Sequence, residues 1–311
     1  MAGTPRVLIP AQAINRTRPI SADRLAQLAL WRTAEYLLYA AVVVIFLTPF
    51  VWMILGSFRR ETEIFQYIYP LTVRTFVPVR WTLENYLAVL GLSEEGRRFG
   101  LDFGRALFNS AFVSTAVVCL SLIFNTSAAY FFARLRFPAK DILFVFVIAT
   151  MLIPWEATIV PLFLVVRLLG LQDSYWALIV PWYASPFIIF ALRQFFEEIP
   201  RELDEAAIMD GANRLQILRH VIVPNAVPAL VTMSLLEFQF IWNLFFWPLV
   251  AVGKKEFQVI QVVIAAQTTQ GQVYWGRTLA GAVLASVPVI ILFLAMQRHY
   301  VRGVVLSGLK G

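Results

Sequence analysis

Apolar residues run along most of the chain in long stretches that charged residues interrupt only at wide intervals. A helix needs about 20 mostly apolar residues to cross a bilayer, and six stretches approach or exceed that length. They are residues 36–58, 106–133, 142–162, 174–192, 226–250 and 278–297. Four of them contain no charged residue, whereas the third contains Glu156 and the fifth contains Glu237 near its middle. The pattern predicts an all-α integral membrane protein with six transmembrane helices.

The composition supports this fold class and excludes several functions. Hydrophobic residues make up 59% and charged residues 14% of the 311 positions, whereas about 25% of a soluble domain is charged. The net charge of +7 is not gathered into a basic stripe with stacking aromatic residues, so we predict no nucleic-acid partner. One cysteine and two histidines without metal-ligand neighbours predict no metal site.

The positive charges of the loops predict the orientation in the membrane. Lys and Arg number 15 on the side of both termini and 11 on the opposite side, and cytoplasmic loops carry the excess of such residues. We therefore expect a cytoplasmic tail over residues 1–35, a transmembrane domain over 36–311, an ordered outer loop over 59–105 and a cytoplasmic loop over 193–225. The protein is predicted to lie in the inner (cytoplasmic) membrane as a multi-pass protein with both termini cytoplasmic.

The loop 193–225 has the local chemistry of two short helices. Pro200 suits a first helical position and Gly211 suits a left-handed C-terminal position, which predicts a helix from about Pro200 to Asp210. Asn213 and Gln216 have the spacing of a capping pair that opens a second helix. Pro224 is expected to interrupt that helix at the membrane surface.

The first of these helices has a thin and acidic surface. One face, by three- and four-residue spacing, carries Leu203, Ala206, Ala207 and Asp210. An interfacial helix resting on lipid headgroups is the alternative to a protein partner. Anionic lipid would repel a helix with four acids, Glu202, Asp204, Glu205 and Asp210, against Arg201 alone, so the pattern favours a protein groove.

A family resemblance rests on the spacing of this segment. Glu205-Ala206-Ala207, Gly211 and, nine residues later, Val221-Ile-Val-Pro224 resemble the EAA loop of the membrane subunits of bacterial ABC importers. Val221 and Val223 stand where that family has Ile and Leu. The resemblance extends from about Trp31 to the C-terminus and is closest to the second permease subunit of carbohydrate-uptake importers of the maltose and glycerol-phosphate type. Leu244 replaces an acid that is common in the family.

The resemblance implies a permease subunit that imports a carbohydrate or related polyol without catalysing a reaction itself. It implies a cytoplasmic coupling helix that docks on an ATPase, with coupling residues Leu203, Asp204, Glu205, Ala206, Ala207, Asp210, Gly211 and Pro224. The implied partners are a second permease subunit, two copies of a cytoplasmic ABC ATPase and an extracytoplasmic solute-binding protein. No cofactor is expected in this chain, because ATP and Mg would be bound by the ATPase; the nearest approach to a phosphate-binding loop, 303–308, is followed by Leu309 and not by Lys.

Glu237 is the candidate functional acid within the membrane. Placing an ionisable residue near the bilayer centre costs free energy, so such a residue faces a cavity or a partner. It could line the translocation path, together with Gln239 and Asn243, or it could pair with the second permease subunit. The sequence leaves both open.

Two other functions are weighed against the importer. A self-contained secondary transporter or channel would leave the acidic, alanine-faced helix unexplained. An integral membrane transferase would need a clustered acid, histidine or metal group near an interface, which the two distant histidines, His220 and His299, and the scattered carboxylates do not form.

Overall fold

A computed structural model describes residues 22–94, 96, 102–267 and 273–308. The predicted tail up to residue 21, part of the outer loop and the last three residues lie outside this range. The secondary structure of the described residues is helical, with no strand among them. The chain divides into two compact units, Met1–Trp52 and Met53–Gly311.

The α-helices differ greatly in length. In chain order they are α1 Ala22–Ser57, α2 Val73–Phe76, α3 Glu84–Val89, α4 Phe103–Arg134, α5 Lys140–Ala149, α6 Ile159–Leu168, α7 Tyr175–Ile179, α8 Pro186–Glu198, α9 Arg201–Met209, α10 Arg214–Ile217, α11 Val223–Asn225, α12 Val227–Trp242, α13 Phe246–Ala251, α14 Ile260–Ala266 and α15 Trp275–Gly308. A π-helical turn, Leu218–Ile222, joins α10 to α11.

Within the described residues, three helical segments are long and apolar enough to cross a membrane. These segments are Leu30–Ser57, Phe103–Arg134 and Trp275–Gln297, and they overlap the first, second and sixth predicted spans. The first belongs to α1, whose side chains between residues 30 and 50 are all exposed and, from residue 36 on, almost all apolar, as suits a lipid-facing helix. Helix α1 already begins at Ala22, well before the predicted span at residue 36.

The third predicted span is a bent pair of helices, and a second bend lies at Ala226, where the fifth predicted span begins. The fifth span, 226–250, itself consists of α12 and α13, which residues 243–245 separate. Lys140–Leu152 and Trp155–Leu168 meet at 92°, and Arg214–Asn225 and Val227–Trp242 meet at 82°. Proline lies at or near both bends, as Pro154 and Pro224, and proline disrupts a helix because it lacks a backbone N–H and its ring clashes with the preceding turn. If each bent pair is one span, the described residues contain up to five spans by length and composition.

The predicted fourth span, 174–192, is not one helix. It contains the short helix α7 and the first part of α8, separated by residues 180–185. The Asn125 side chain on α4 binds this break: its Nδ2 donates to Tyr183 O at 3.1 Å, and the Ser185 N–H donates to its Oδ1 at 3.1 Å. These bonds satisfy backbone groups that a continuous helix would have paired internally.

Helix α4 is the central helix of the second unit. Its residues take part in all three clusters of buried apolar side chains, through Phe103 and Ala106, through Val113 and Val117, and through Ala129, Tyr130 and Ala133. At 1.5 Å per residue its 32 residues span about 48 Å. The helix therefore connects the two ends of this unit.

Part of the predicted outer loop folds as an ordered layer. The buried Arg59 guanidinium donates to the carbonyls of Arg74 and Thr75 at 2.8 Å each; burial lowers the pKa of Arg59, and the Glu63 carboxylate opposes part of that shift. The Glu61 carboxylate accepts from the N–H groups of Trp275 and Gly276 at 2.6 and 2.9 Å. This layer therefore caps the first turn of α15.

Candidate functional site

The α9–α10 hairpin, residues 201–222, has the two-helix form that its sequence predicts. Helix α9 ends in a left-handed turn at Gly211, where φ is +83°. The N–H groups of Gly211 and Ala212 donate to the carbonyls of Ile208 at 3.0 Å and Ala207 at 2.9 Å, which is the hydrogen-bond pattern of a Schellman motif. The predicted role of Gly211 in the turn is confirmed.

Helix α10 begins with the predicted capping pair. The Gln216 N–H donates to Asn213 Oδ1 at 3.0 Å, and the Asn213 N–H donates to Gln216 Oε1 at 2.7 Å. Each side chain thus satisfies a backbone N–H that has no partner inside the helix. The turn between α9 and α10 is therefore built by local interactions on both of its sides.

The predicted coupling residues do not all face the same way. Most of them are exposed, namely Leu203, Glu205, Ala206, Asp210, Gly211 and Pro224. Ala207 packs against the buried cluster beneath the hairpin. Asp204 is turned inward, where its Oδ2 lies 3.3 Å from Arg134 Nε on α4.

Sequence reasoning missed an apolar tip on the hairpin. Ile208, Met209 and Leu215 are exposed around the Gly211 turn, and Met209 is 87% exposed. The signal was available, because these apolar residues stand on either side of a turn in a loop predicted to be aqueous. Together with Glu205 and Asp210, the tip presents apolar and acidic groups side by side.

The hairpin rests on the ends of α4 and α8. The buried cluster beneath it combines side chains of α4, α8, α10, the π-helical turn and the start of α12, namely Ala129, Tyr130, Ala133, Ile188, Leu192, Phe196, Ile199, Ile217, Leu218, Ile222, Ala226 and Leu230. Apolar burial of this kind is worth roughly 25 cal/mol per Å² of surface removed from water. This burial therefore attaches the base of the hairpin to α4, α8 and α12.

The three residues predicted for the solute path lie in two places. Glu237 is only 6% exposed, and its side chain lies near Ser121 on α4. Ser121 accepts from Asn125 Nδ2 at 2.5 Å. Gln239 and Asn243 instead line an open pocket of about 600 Å³ at the end of α12. Glu237 is not among the residues that line this pocket.

Aromatic rings surround the two amides of this pocket. Its lining includes Trp155, Phe240, Phe245 and Phe246, and its volume lies within the range of small-molecule sites. Trp155 packs edge-on to Trp182 with ring centroids 5.7 Å apart. The Asn243 side chain is held by its own helix, because its Nδ2 donates to Gln239 O at 2.9 Å.

Among the residues that the structure describes, no group of three or more His, Cys, Asp or Glu side chains could hold a metal ion.

Comparison with known proteins identifies the family. Residues 125–305 match the model of the binding-protein-dependent transport system inner membrane components. The chain belongs to this family. The matched range contains the hairpin, Glu237, Gln239 and Asn243, so the family match covers the candidate sites.

Similar proteins cover nearly the whole chain. The arabinooligosaccharides transport system permease protein AraQ of Halalkalibacterium halodurans is 31% identical over 273 residues, 88% of this chain and 94% of the relative. The trehalose/maltose transport system permease protein MalG of Thermococcus litoralis is 31% identical over 273 residues, 87% and 94% of the two chains. A bacterial ABC transporter involved in the import of the acidic polysaccharide alginate matches with a TM-score of 0.72 and 26% identity over 91% of this chain and all of that chain.

These findings confirm the predicted resemblance to permease subunits of carbohydrate-uptake ABC importers. The chain is an all-helical, multi-pass membrane permease and a translocation subunit of an ABC importer.

Proposed function

We propose that this chain imports a carbohydrate or related polyol into the cytoplasm as one of two permease subunits. Two copies of a cytoplasmic ABC ATPase and an extracytoplasmic solute-binding protein would complete the importer. The α9–α10 hairpin carries the proposal, because it joins the EAA spacing to an exposed acidic and apolar tip. Relatives named for trehalose/maltose and arabinooligosaccharide transport support the solute class.

The hairpin is proposed to be the surface on which the ATPase acts. Glu205 and Asp210 offer acids to a basic partner, and Leu203 and Met209 offer apolar contact, which together suit a groove in another protein. The ATPase would bind ATP and Mg and supply the energy, while this chain would perform no catalysis. Closure of the ATPase dimer would move α9 and thereby switch the spans between inward- and outward-facing states.

The proposed topology has six crossings, with α7 and α8 together forming the fourth. Contacts along α4 support it. Near one end of α4, Asn109 Nδ2 donates to the carbonyls of Glu256 and Gln258 at 2.9 Å each, and at the other end Arg134 contacts the hairpin. The loops predicted outside and the loops predicted inside therefore gather at opposite ends of one membrane-length helix, which fits cytoplasmic termini and a cytoplasmic hairpin.

We propose that the solute path passes the open pocket lined by Gln239 and Asn243. Gln239 and Asn243 can hydrogen-bond hydroxyl groups, and Trp155 with the neighbouring Phe residues can pack against the apolar faces of sugar rings. Glu237, which lies near Ser121, would serve either the path or the assembly of the two permease subunits.

Uptake by reconstituted proteoliposomes tests the proposed function. The chain would be purified with its associated subunits and assayed with labelled maltose, trehalose and arabinooligosaccharides, with ATP and Mg on the ATPase side. We expect uptake of at least one of these sugars that stops when a non-hydrolysable ATP analogue is used. Uptake driven by an ion gradient without ATP would instead indicate a secondary transporter.

Glu205→Gln probes the coupling surface through the amount of ATPase that stays bound when the complex is purified. Loss of a charged partner in a desolvated contact should lower ATPase retention by at least about tenfold, which corresponds to 1.4 kcal/mol. The matched control is Glu198→Gln, an exposed acid at the end of α8 that should retain the ATPase. Equal retention by both variants would contradict the assignment of Glu205.

A further inference from the structure

A largely buried ion pair joins the first turns of α9 to the last residue of α4. Arg134 Nε lies 3.3 Å from Asp204 Oδ2, and the two side chains are 3% and 13% exposed. Seventy positions separate these residues in the sequence. Burying charges is costly unless they are paired, so each residue needs the other in this fold.

The same guanidinium also binds the end of α8. Arg134 Nη2 donates to the carbonyl of Ile199 at 2.6 Å, and Ile199 is the first residue after α8. Arginine can make both contacts because its delocalised positive charge attracts the Asp204 carboxylate while another of its N–H groups donates to the Ile199 carbonyl. One side chain therefore fixes the ends of α4 and α8 and the start of α9 relative to one another.

Other attachments of α9 to the helices above it are few. Ala207 is the residue of α9 that packs against the buried cluster, whereas α10 and the π-helical turn contribute the larger Ile217, Leu218 and Ile222. The outward side of α9 is exposed. A force applied to α9 would thus reach α4 in large part through Arg134 and Asp204.

We propose that Arg134 and Asp204 are positioning residues that transmit movement of α9 to α4. This inference rests on the proposed function, in which an ATPase moves the hairpin. It reassigns Asp204, which the sequence analysis grouped with the residues that contact the ATPase, and it adds Arg134, which that group did not include. Asp204 and Glu205 are adjacent in sequence, but Asp204 faces inward to Arg134, whereas Glu205 is exposed.

Two adjacent acids allow a matched test in the reconstituted importer. Asp204→Asn should leave the ATPase bound and still hydrolysing ATP, but it should lower the solute transported per ATP by about fivefold or more, the lower end of typical coupling effects. Arg134→Gln should do the same. Glu205→Gln should instead lower ATPase retention, and Arg136→Gln, an exposed basic residue two positions beyond Arg134, should match the wild type.

A double variant separates force transmission from simple loss of stability. Arg134→Gln/Asp204→Ala leaves no unpaired buried charge, so the complex should assemble with normal yield. Because the link is still missing, the solute transported per ATP should stay about fivefold low. A purely structural role predicts recovery of the wild-type ratio in this variant.

Two results would overturn the inference and leave the proposed function intact. One is a wild-type solute-to-ATP ratio in Asp204→Asn. The other is a wild-type ratio in the double variant. Failure of the proposed function has a different signature, since the unmodified complex would then show no ATP-driven uptake at all.

Discussion

Gly211 illustrates at the residue scale how a single backbone conformation builds the hairpin. Its φ of +83° lies in the left-handed region, and a Cβ placed there would meet no heavy atom within 4 Å. Space is therefore not the constraint at this position; the backbone conformation is. Residues other than glycine and asparagine seldom adopt it, because the left-handed region costs them about 1–2 kcal/mol.

Two substitutions at Gly211 separate conformation from bulk. Gly211→Asn should keep ATP-driven uptake near the wild-type level, because asparagine adopts the left-handed region comparatively easily. Gly211→Val should strain the turn by about 1–2 kcal/mol or shift it, and ATP-driven uptake in proteoliposomes should fall. Equal uptake by the two variants would show that the turn conformation has no bearing on coupling.

Residue-level predictions succeeded where the signal was local. Gly211 and the Asn213–Gln216 pair act within a few residues of themselves, so their spacing was sufficient to predict the turn and the cap that the structure contains. Asp204 could not be oriented in this way. Its partner Arg134 is distant in sequence, and helical spacing alone does not say which side of a short helix faces the protein.

Polar side chains of α4 support the breaks in neighbouring elements. The length of the apolar stretches did not predict where the third, fourth and fifth are interrupted. Proline alone does not predict it either, because Pro49 and Pro288 lie inside the continuous helices α1 and α15. The side chains that satisfy the freed backbone groups could not be predicted, because they belong to another helix. Asn125 binds the break before α8, and Ser110 Oγ accepts the Ile260 N–H at the start of α14 at 2.8 Å. In lipid such backbone groups must find partners within the protein.

Asn125→Leu tests this support of the fourth span. The substitution removes the bonds to Tyr183 and Ser185, and unsatisfied buried groups cost about 1–3 kcal/mol each. The midpoint of thermal unfolding in detergent should fall. Asn225→Leu is the control, because Asn225 is exposed and bonds only to Val221 O in its own turn among the contacts described, and its effect should stay within about 0.5 kcal/mol. Equal shifts would contradict the role of Asn125.

At the scale of the whole molecule, α4 connects segments that lie far apart in the sequence. Its first turns bind the segment after α13 through Asn109, Ser121 in its middle lies near Glu237, and its last residue, Arg134, pairs with Asp204 of the hairpin. The length of a charge-free apolar stretch could predict α4 as a span, and the family resemblance could predict the EAA loop. Neither could predict that one helix reaches all of these places, since that depends on contacts between distant segments.

Site-specific photo-crosslinking tests the central claim, that a separate ATPase acts on the α9–α10 hairpin. A photoreactive amino acid would replace Met209, which is 87% exposed at the hairpin tip, or Leu168, which is 85% exposed at the end of α6. After illumination of the intact complex in membranes, Met209 should crosslink to the ATPase and Leu168 should not. Crosslinking of Met209 only to the solute-binding protein, or of neither position to an ATPase, would contradict the account.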